Sequence, residues 1–461
     1  MRLAEVLERF EKDSPISVMA RTTLDHILDN DRLDDLFKKH AVQQKCRDLA
    51  FSTVADLMAL VAIKAKPSVN AAYTHRTKEQ VGVAITSIYN KLQGIEPAVG
   101  RAMVRETAHE LLKVVGSLKK GLPVPVVSGF KTRIIDGNHF AGTEHRIKEL
   151  RTLGAAALPG QCIPILDPDH RLMLEMIPCE DGHAGECTMV PDILELVKPG
   201  ELWIGDRKFG TKTMMLSIAL EKKSHFLFRH GLGNVPGWKT CGPKIKIGKM
   251  EGDTLYEQPI EIEFRGQTLQ LRRITIKLSK PTRKGDKEIH LLTNLPKRVR
   301  ARQVAHAYRK RWKIETAFQH LAQSLNCEIE TLGYPKAALF SFCMGLMMFN
   351  VLSVIKTAIA VGHSNAEVAE EISTYYVALE ISNTWSGFRI ALTDDEFAKL
   401  EGKRTAAQLA VRLRSLGKQV NLKQVLKSKR GPKKPPPKRK SGNRGNHVAT
   451  SRILAENRPG Y

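Results

Sequence analysis

The sequence predicts an α/β protein: a mixed sheet covered by helices, preceded by a helical domain, interrupted by a β-rich insertion and followed by a basic tail. Three observations predict it. Residues 1–120 carry apolar side chains three and four positions apart, residues 130–230 alternate short apolar runs with helical stretches, and residues 231–295 alternate apolar with polar side chains over long runs.

In the first region, LERFEK, RTTLDHILDNDRLDDLFKKHA, FSTVADLMALVAI and RAMVRETAHELLKVVGSL read as amphipathic helices. GLPVPVVSG, residues 121–129, breaks that pattern with its prolines and glycines. KTRIID is then a strand ending on Asp136, and CIPILD and RLMLEMIP form a hairpin about a turn at 167–170. VPDILELVKPG is a helix, ELWIGD a strand ending on Asp206, TKTMMLSIALEKK a helix and SHFLFRHG a fifth strand. After the β-rich insertion at 231–295, residues 296–362 return to the core with one helix over 301–326 and an apolar helix over 337–355. In the C-terminal helical region, 363–420, Ser364 to Glu367 reads as a capping box opening another helix. The tail, 421–461, includes KQVLKSKRGPKKPPPKRKSGNR, which has no acid; it is expected to be disordered when free and to contact phosphate.

Composition narrows the partners. Of 461 residues 42% are apolar, ample for a real core, while a formal charge of +25 calls for a polyanion. Nucleic acid is the first candidate and an anionic membrane surface the second. Seven scattered cysteines, at 46, 162, 179, 187, 241, 327 and 343, suit a reducing compartment, the cytoplasm. The charged N-terminus does not read as a signal peptide. AALFSFCMGLMMFNVLSVI, 337–355, has the length of a membrane span, but Ser341, Asn350 and Ser353 interrupt it, and a buried core helix is expected instead.

The chemistry centres on RIIDGNHF, 133–140. Alone, an Asp-Gly pair after a strand reads as a plain turn. Asp206 changes the weighting, because the carboxyl ends of strands are where open α/β sheets form sites. Carboxylates there suit Mg²⁺, which takes oxygen ligands, and two such ions roughly 4 Å apart can serve phosphoryl transfer. Tyr308, Arg311 and Glu315 stand at i, i+3 and i+7, on one helical face. That face could simply be solvated, but the apolar helix after it implies packing against the core. Arginine there can grip phosphate with two parallel hydrogen bonds.

In this order Asp136 (in IIDGNHF), Asp206 (in LWIGDRKFG) and Glu315 (in YRKRWKIE), with a β-rich insertion before the glutamate, resemble the DDE transposases of bacterial insertion sequences. The helix is similar to the subgroup with a Tyr-Arg-Glu-Lys signature: Tyr308, Arg311 and Glu315 match, but Ala322 stands where the lysine belongs. Gln319, His320 and Gln323 are candidates for its DNA contact; the alternative is a catalytically impaired or regulatory DNA-binding protein of the same fold. The resemblance spans roughly residues 130 to 360. It implies a ribonuclease H-like catalytic core that uses two Mg²⁺ or Mn²⁺ ions. Asp136, Asp206 and Glu315 would be catalytic metal ligands, and Tyr308, Arg311, Arg207 and Lys208 DNA contacts. The implied partners are double-stranded DNA, as terminal inverted repeats and target, and a second copy pairing two ends in the bacterial cytoplasm, at the nucleoid, with no membrane.

Other features weigh less. Cys179, His183 and Cys187 lack an evident fourth zinc ligand, and Glu180 and Asp181 beside them read as a solvated turn. Trp238 could stack on an unpaired base but is expected to pack within the insertion, and Trp312 is expected in the core. The basic residues of IKIGK and LRRITIK could line a DNA groove. No P-loop is visible.

Overall fold

A computed structural model describes residues 3–44, 49–74, 81–118, 125–231, 238–282, 285–365, 367–428 and 447–458. Its centre is a large mixed sheet. Strands β1 (Lys131–Ile135), β2 (Asn138–His139), β3 (Ala156–Leu158), β4 (Gln161–Asp167), β5 (Leu172–Cys179), β6 (Glu201–Gly205) and β7 (His225–Arg229) come first in the chain. β5 pairs with β4, β4 runs antiparallel to β1, and β1, β6 and β7 are parallel neighbours. The predicted strand and helix order is therefore present.

The insertion does not stand apart. Its strands β8 (Trp238–Thr240), β9 (Ile245–Met250), β10 (Asp253–Phe264), β11 (Gln267–Lys277) and β12 (Glu288–Thr293) extend the same sheet, because β12 pairs antiparallel with β7. β10 and β11 form a long hairpin whose two-residue turn, Arg265-Gly266, has both φ angles positive (52° and 73°). Such a turn matches the twist of the strands it joins.

The central strands are buried on both faces, which is why they read as unbroken apolar runs. Ile134, Leu202, Ile204 and Leu227 lie in one cluster with the N-terminal helices and the helix Pro335–Gly362. Ile135, Trp203, Phe226 and Phe228 lie in a second cluster with Ile193, Met214, Met215 and Ile218, from the two helices of the 190–221 region. The N-terminal helices thus share the first core continuously with the sheet and are not a free-standing unit.

Helix Pro335–Gly362 is long and apolar enough to cross a membrane, yet its most apolar stretch is wholly buried in the protein. The polar residues that interrupt it explain why. Asn350 accepts from Met173 N at 2.7 Å and donates to Met173 O at 2.8 Å, so it pairs with the backbone of β5; Ser341 donates to Cys327 O at 2.9 Å. Lys356, a flank of the apolar run, donates to Thr374 Oγ1 at 3.2 Å.

Three local expectations are corrected. The helix expected over 301–326 is two, Ala301–Arg309 and Trp312–Ser324, because bonds around Lys310 and Arg311 tighten to three-residue spacing (Arg311 N to Tyr308 O 3.0 Å, Ile314 N to Arg311 O 3.1 Å). Helix Val368–Glu371 has Glu367 at its N-cap with no side-chain cap bond; before it Asn365 Oδ1 accepts from Glu367 N at 3.1 Å, and Ser364 sits at φ 54° as the preceding helix ends. Within the tail expected to be disordered, residues 447–458 form strand β13 (His447–Ala449), parallel to β3, and helix Thr450–Asn457. Unlike the Lys/Pro stretch before it, this segment has apolar Val448, Ile453 and Leu454 to bury against Ile147 and Leu150. Arg458 adds bonds to Glu149 at 2.7 and 3.0 Å. Most of the basic run, 429–446, lies outside the described residues.

Candidate functional site

Asp136-Gly137 is not a turn. After Ile135 pairs with Ile165, the chain continues along the same strand, and Asn138 pairs with Cys162 in unchanged register. The dipeptide is a gap in one extended strand, with Gly137 N–H donating to Asp136 Oδ1 at 3.1 Å. The space beside Gly137 is filled by Glu186: a Cβ there would overlap its carboxylate and force it to move. On the other side β1 is parallel to β6 with Ile134 opposite Ile204, a register that carried two residues further sets Asp136 level with Asp206. Adjacent strands lie about 4.8 Å apart and alternate residues share a face, so both aspartates face the side of Ile134 and Ile204.

That face receives Arg311. It donates from Nη1 to Asp136 Oδ2 at 2.8 Å and from Nη2 to Glu315 Oε1 at 2.6 Å. The break between the two helices turns Arg311 inward to 9% exposure. It also turns its neighbour Trp312 outward to 59%, which corrects the expectation of a core tryptophan. Tyr308 is buried, its ring 5.8 Å from the Arg311 guanidinium. The insertion fixes this helical pair. Arg309 donates to Asp253 at 2.8 Å and to Glu251. Arg272 Nη1 donates to the carbonyls of Leu295, Pro296 and Val299 at 3.2, 3.0 and 2.8 Å, in the approach to the first helix.

The site holds more acid than base. Burial pushes the Asp136 carboxyl up to about 7; Arg311 opposes the shift, while Asp206, Glu315 and Glu186 add to it. Glu186 is 7% exposed. Its Oε1 accepts from Lys208 Nζ at 2.5 Å and lies 3.7 Å from His139 Nε2. Its Oε2 is buried without a partner. Burial disfavours its charged form, but Lys208 and His139 beside it together outweigh burial and hold it below the ordinary glutamate range.

Hard oxygen donors, an excess of carboxylate and an orphaned buried acceptor fit a divalent cation in chemistry. In this structure, however, the guanidinium satisfies Asp136 and Glu315 together. Among the described residues no group of three or more His, Cys, Asp or Glu side chains converges as a metal cluster.

The other expected residues are dispersed. Arg207 is exposed beside Asp206, and Lys208 is paired with Glu186. Ala322 is exposed on the last turns of its helix. His320 Nδ1 lies 3.1 Å from Thr374 Oγ1, and the Gln323 carbonyl accepts from Lys64 Nζ at 2.7 Å. Trp238 is half-buried under the Arg273 guanidinium at 4.2 Å. Arg272 is held internally, so it does not line a groove as LRRITIK suggested. Cys179 and Cys187 face the carbonyls of Asp181 and Lys208 respectively.

Glu186, in contact with the Asp136-Gly137 segment, was missed. Glu186 sits in a four-residue 3₁₀ turn, Glu186–Met189, after a glycine-rich loop, where no periodicity flags it.

Residues 131–348 match the family model of the transposase DDE domain. The match begins on the first residue of β1 and takes in Asp136, Asp206 and Glu315; with the large mixed sheet and helical N-terminal region it supports a DDE-type transposase. Comparison with curated proteins gave no match.

Proposed function

We propose that this protein is a bacterial insertion-sequence transposase of the Tyr-Arg-Glu-Lys subgroup, with a ribonuclease H-like core, that cuts phosphodiester bonds at transposon ends and joins the freed 3′ hydroxyl to target DNA. The observation that carries the reading is Asp136 level with Asp206 on parallel strands, with Arg311 and Glu315 brought onto the same face. Asp136, Asp206 and Glu315 would hold two Mg²⁺ or Mn²⁺ ions, which supply an activated attacking oxygen and a stabilised leaving oxygen when bound. Arg311, backed by Tyr308, would hand its guanidinium from the carboxylates to a DNA phosphate, a partner it grips equally well. Arg207 and Lys208 would add phosphate contacts next to Asp206. The charge of +25 supplies affinity for double-stranded DNA without a sequence code. The reading includes a homodimer that pairs two ends in the bacterial cytoplasm.

A second reading, a DNA-binding protein of the same fold with impaired catalysis, is favoured by Ala322 alone. Supercoiled plasmid carrying the DNA that flanks the coding region separates the two. With Mg²⁺, wild type should nick and linearise it while Glu315→Gln does not. Equal behaviour of the two proteins defeats the catalytic reading.

A further inference from the structure

We infer that Glu186 is a positioning residue that ties the two aspartate-bearing strand ends together and so sets the spacing of Asp136 and Asp206. The inference rests on the metal-site reading above. Glu186 touches both ends at once. Its carboxylate packs against Gly137, one residue after Asp136, so closely that any side chain there would displace it. The same carboxylate accepts from Lys208, two residues after Asp206, whose backbone N–H in turn donates to Asp206 Oδ1 at 2.7 Å. Cys187 repeats the tie, its thiol 3.8 Å from Lys208 O.

The loop that carries Glu186 is itself held firmly. Gln161 Nε2 on β4 donates to Asp181 O at 3.0 Å and to Ala184 O at 2.5 Å. Arg452, on the C-terminal helix, donates to Asp181 Oδ2 at 2.8 and 3.0 Å. A buried carboxylate fixed from behind, with one oxygen engaged by Lys208 and lying against Gly137, is suited to hold ligands in register rather than to solvate a loop. Groups that orient metal ligands change metal affinity by roughly 10- to 100-fold when removed.

The test is Mn²⁺ binding, followed by the loss of the free-ion EPR signal, in the full-length wild type, Asp136→Ala, Glu186→Gln, Lys208→Gln, Gly137→Ala and the Glu186→Gln/Lys208→Gln double variant, with melting temperature as the folding control. Glu186→Gln and Lys208→Gln should each weaken binding about tenfold, the double no further, and Gly137→Ala should resemble them. Melting temperatures should stay within a few degrees; should Glu186→Gln unfold, the half-exposed Lys208→Gln decides in its place. Wild-type affinity in Glu186→Gln, or a double variant whose loss is the product of the singles, overturns the proposal even where Asp136→Ala has lost binding. If Asp136→Ala binds as wild type does, the metal-site reading itself has failed, and the role of Glu186 with it.

Discussion

Two buried arginines, Arg21 and Arg311, look alike in exposure and differ in what holds them. Arg21 is 1% exposed; it donates to Leu392 O at 2.9 Å and to Asp394 at 3.0 Å, and its guanidinium lies over the rings of Phe388 and Phe397 at 4.8 and 4.2 Å. A backbone carbonyl and two core rings cannot be exchanged for a ligand, so Arg21 rivets the N-terminal helices to the C-terminal ones. Arg311 is held by two carboxylates, its Nε is buried without a partner, and an orphaned Glu186 oxygen belongs to the same acidic group. Unfilled hydrogen-bonding capacity, rather than burial or charge, distinguishes Arg311 from Arg21.

The largest expected effect lies on the functional side. Asp136→Ala should lower plasmid cleavage by about 10³-fold or more, the scale of removing a group that stabilises developing charge. DNA binding, followed by mobility shift, should change little because basic surfaces carry it. Loss of both together would return Asp136 to a structural role. Next comes stability. In urea unfolding, Arg21→Ala should cost about 2–5 kcal/mol, because it empties the space between the Phe388 and Phe397 rings and leaves the Leu392 carbonyl without its donor, whereas Arg311→Met should cost under about 1 kcal/mol. Asp136 can then keep its proton near neutral pH, and Glu315 is half solvated. A reversed ranking would erase the contrast between the two arginines.

The third effect is on pH. The folded Asp136 carboxyl titrates at about 7 against an ordinary value of 3.8, so the stability from its neutral form is complete below about pH 4 and lost as pH rises through 7. Metal-free wild type should therefore lose melting temperature between pH 5 and 8 relative to Asp136→Asn, by a few degrees. Mn²⁺ affinity should move the other way, falling towards about tenfold per unit below pH 7 as protons compete. A flat profile in both measurements would remove Asp136 from the centre of the site. Smallest is Lys64→Ala. Lys64 stands at the C-terminal turn of the Glu315 helix, one residue from Ala322, and its loss should shift melting by about 1 °C or less.

What was legible in the sequence follows from how local its causes are. The central strands and the apolar helix announced themselves through apolar runs and periodicity, and the order of Asp136, Asp206 and Glu315 singled those acids out as candidates. What was hidden depends on partners distant in the chain. Asp-Gly reads as a turn until β4 is seen to continue past it, and Gly137 lies against the carboxylate of a glutamate 49 positions on. The outward swing of Trp312 depends on a change of hydrogen-bond spacing at Lys310 and Arg311, which leaves composition untouched. The docked segment 447–458 was masked by the basic run before it, although Val448, Ile453 and Leu454 were there to be weighed.

Asn350 has a consequence for where the protein can be cut. The matched domain stops at Met348, two residues short of the amide that completes both backbone hydrogen bonds of Met173 on β5. A fragment trimmed to 131–348 would leave that strand's donor and acceptor open and strip the N-terminal helices from one side of the sheet. It should express as an aggregating, unevenly protected species in hydrogen exchange, whereas the whole chain protects β5 and helix Pro335–Gly362 as one cooperative unit. The boundaries of the chemistry and the boundaries of folding do not coincide in this molecule.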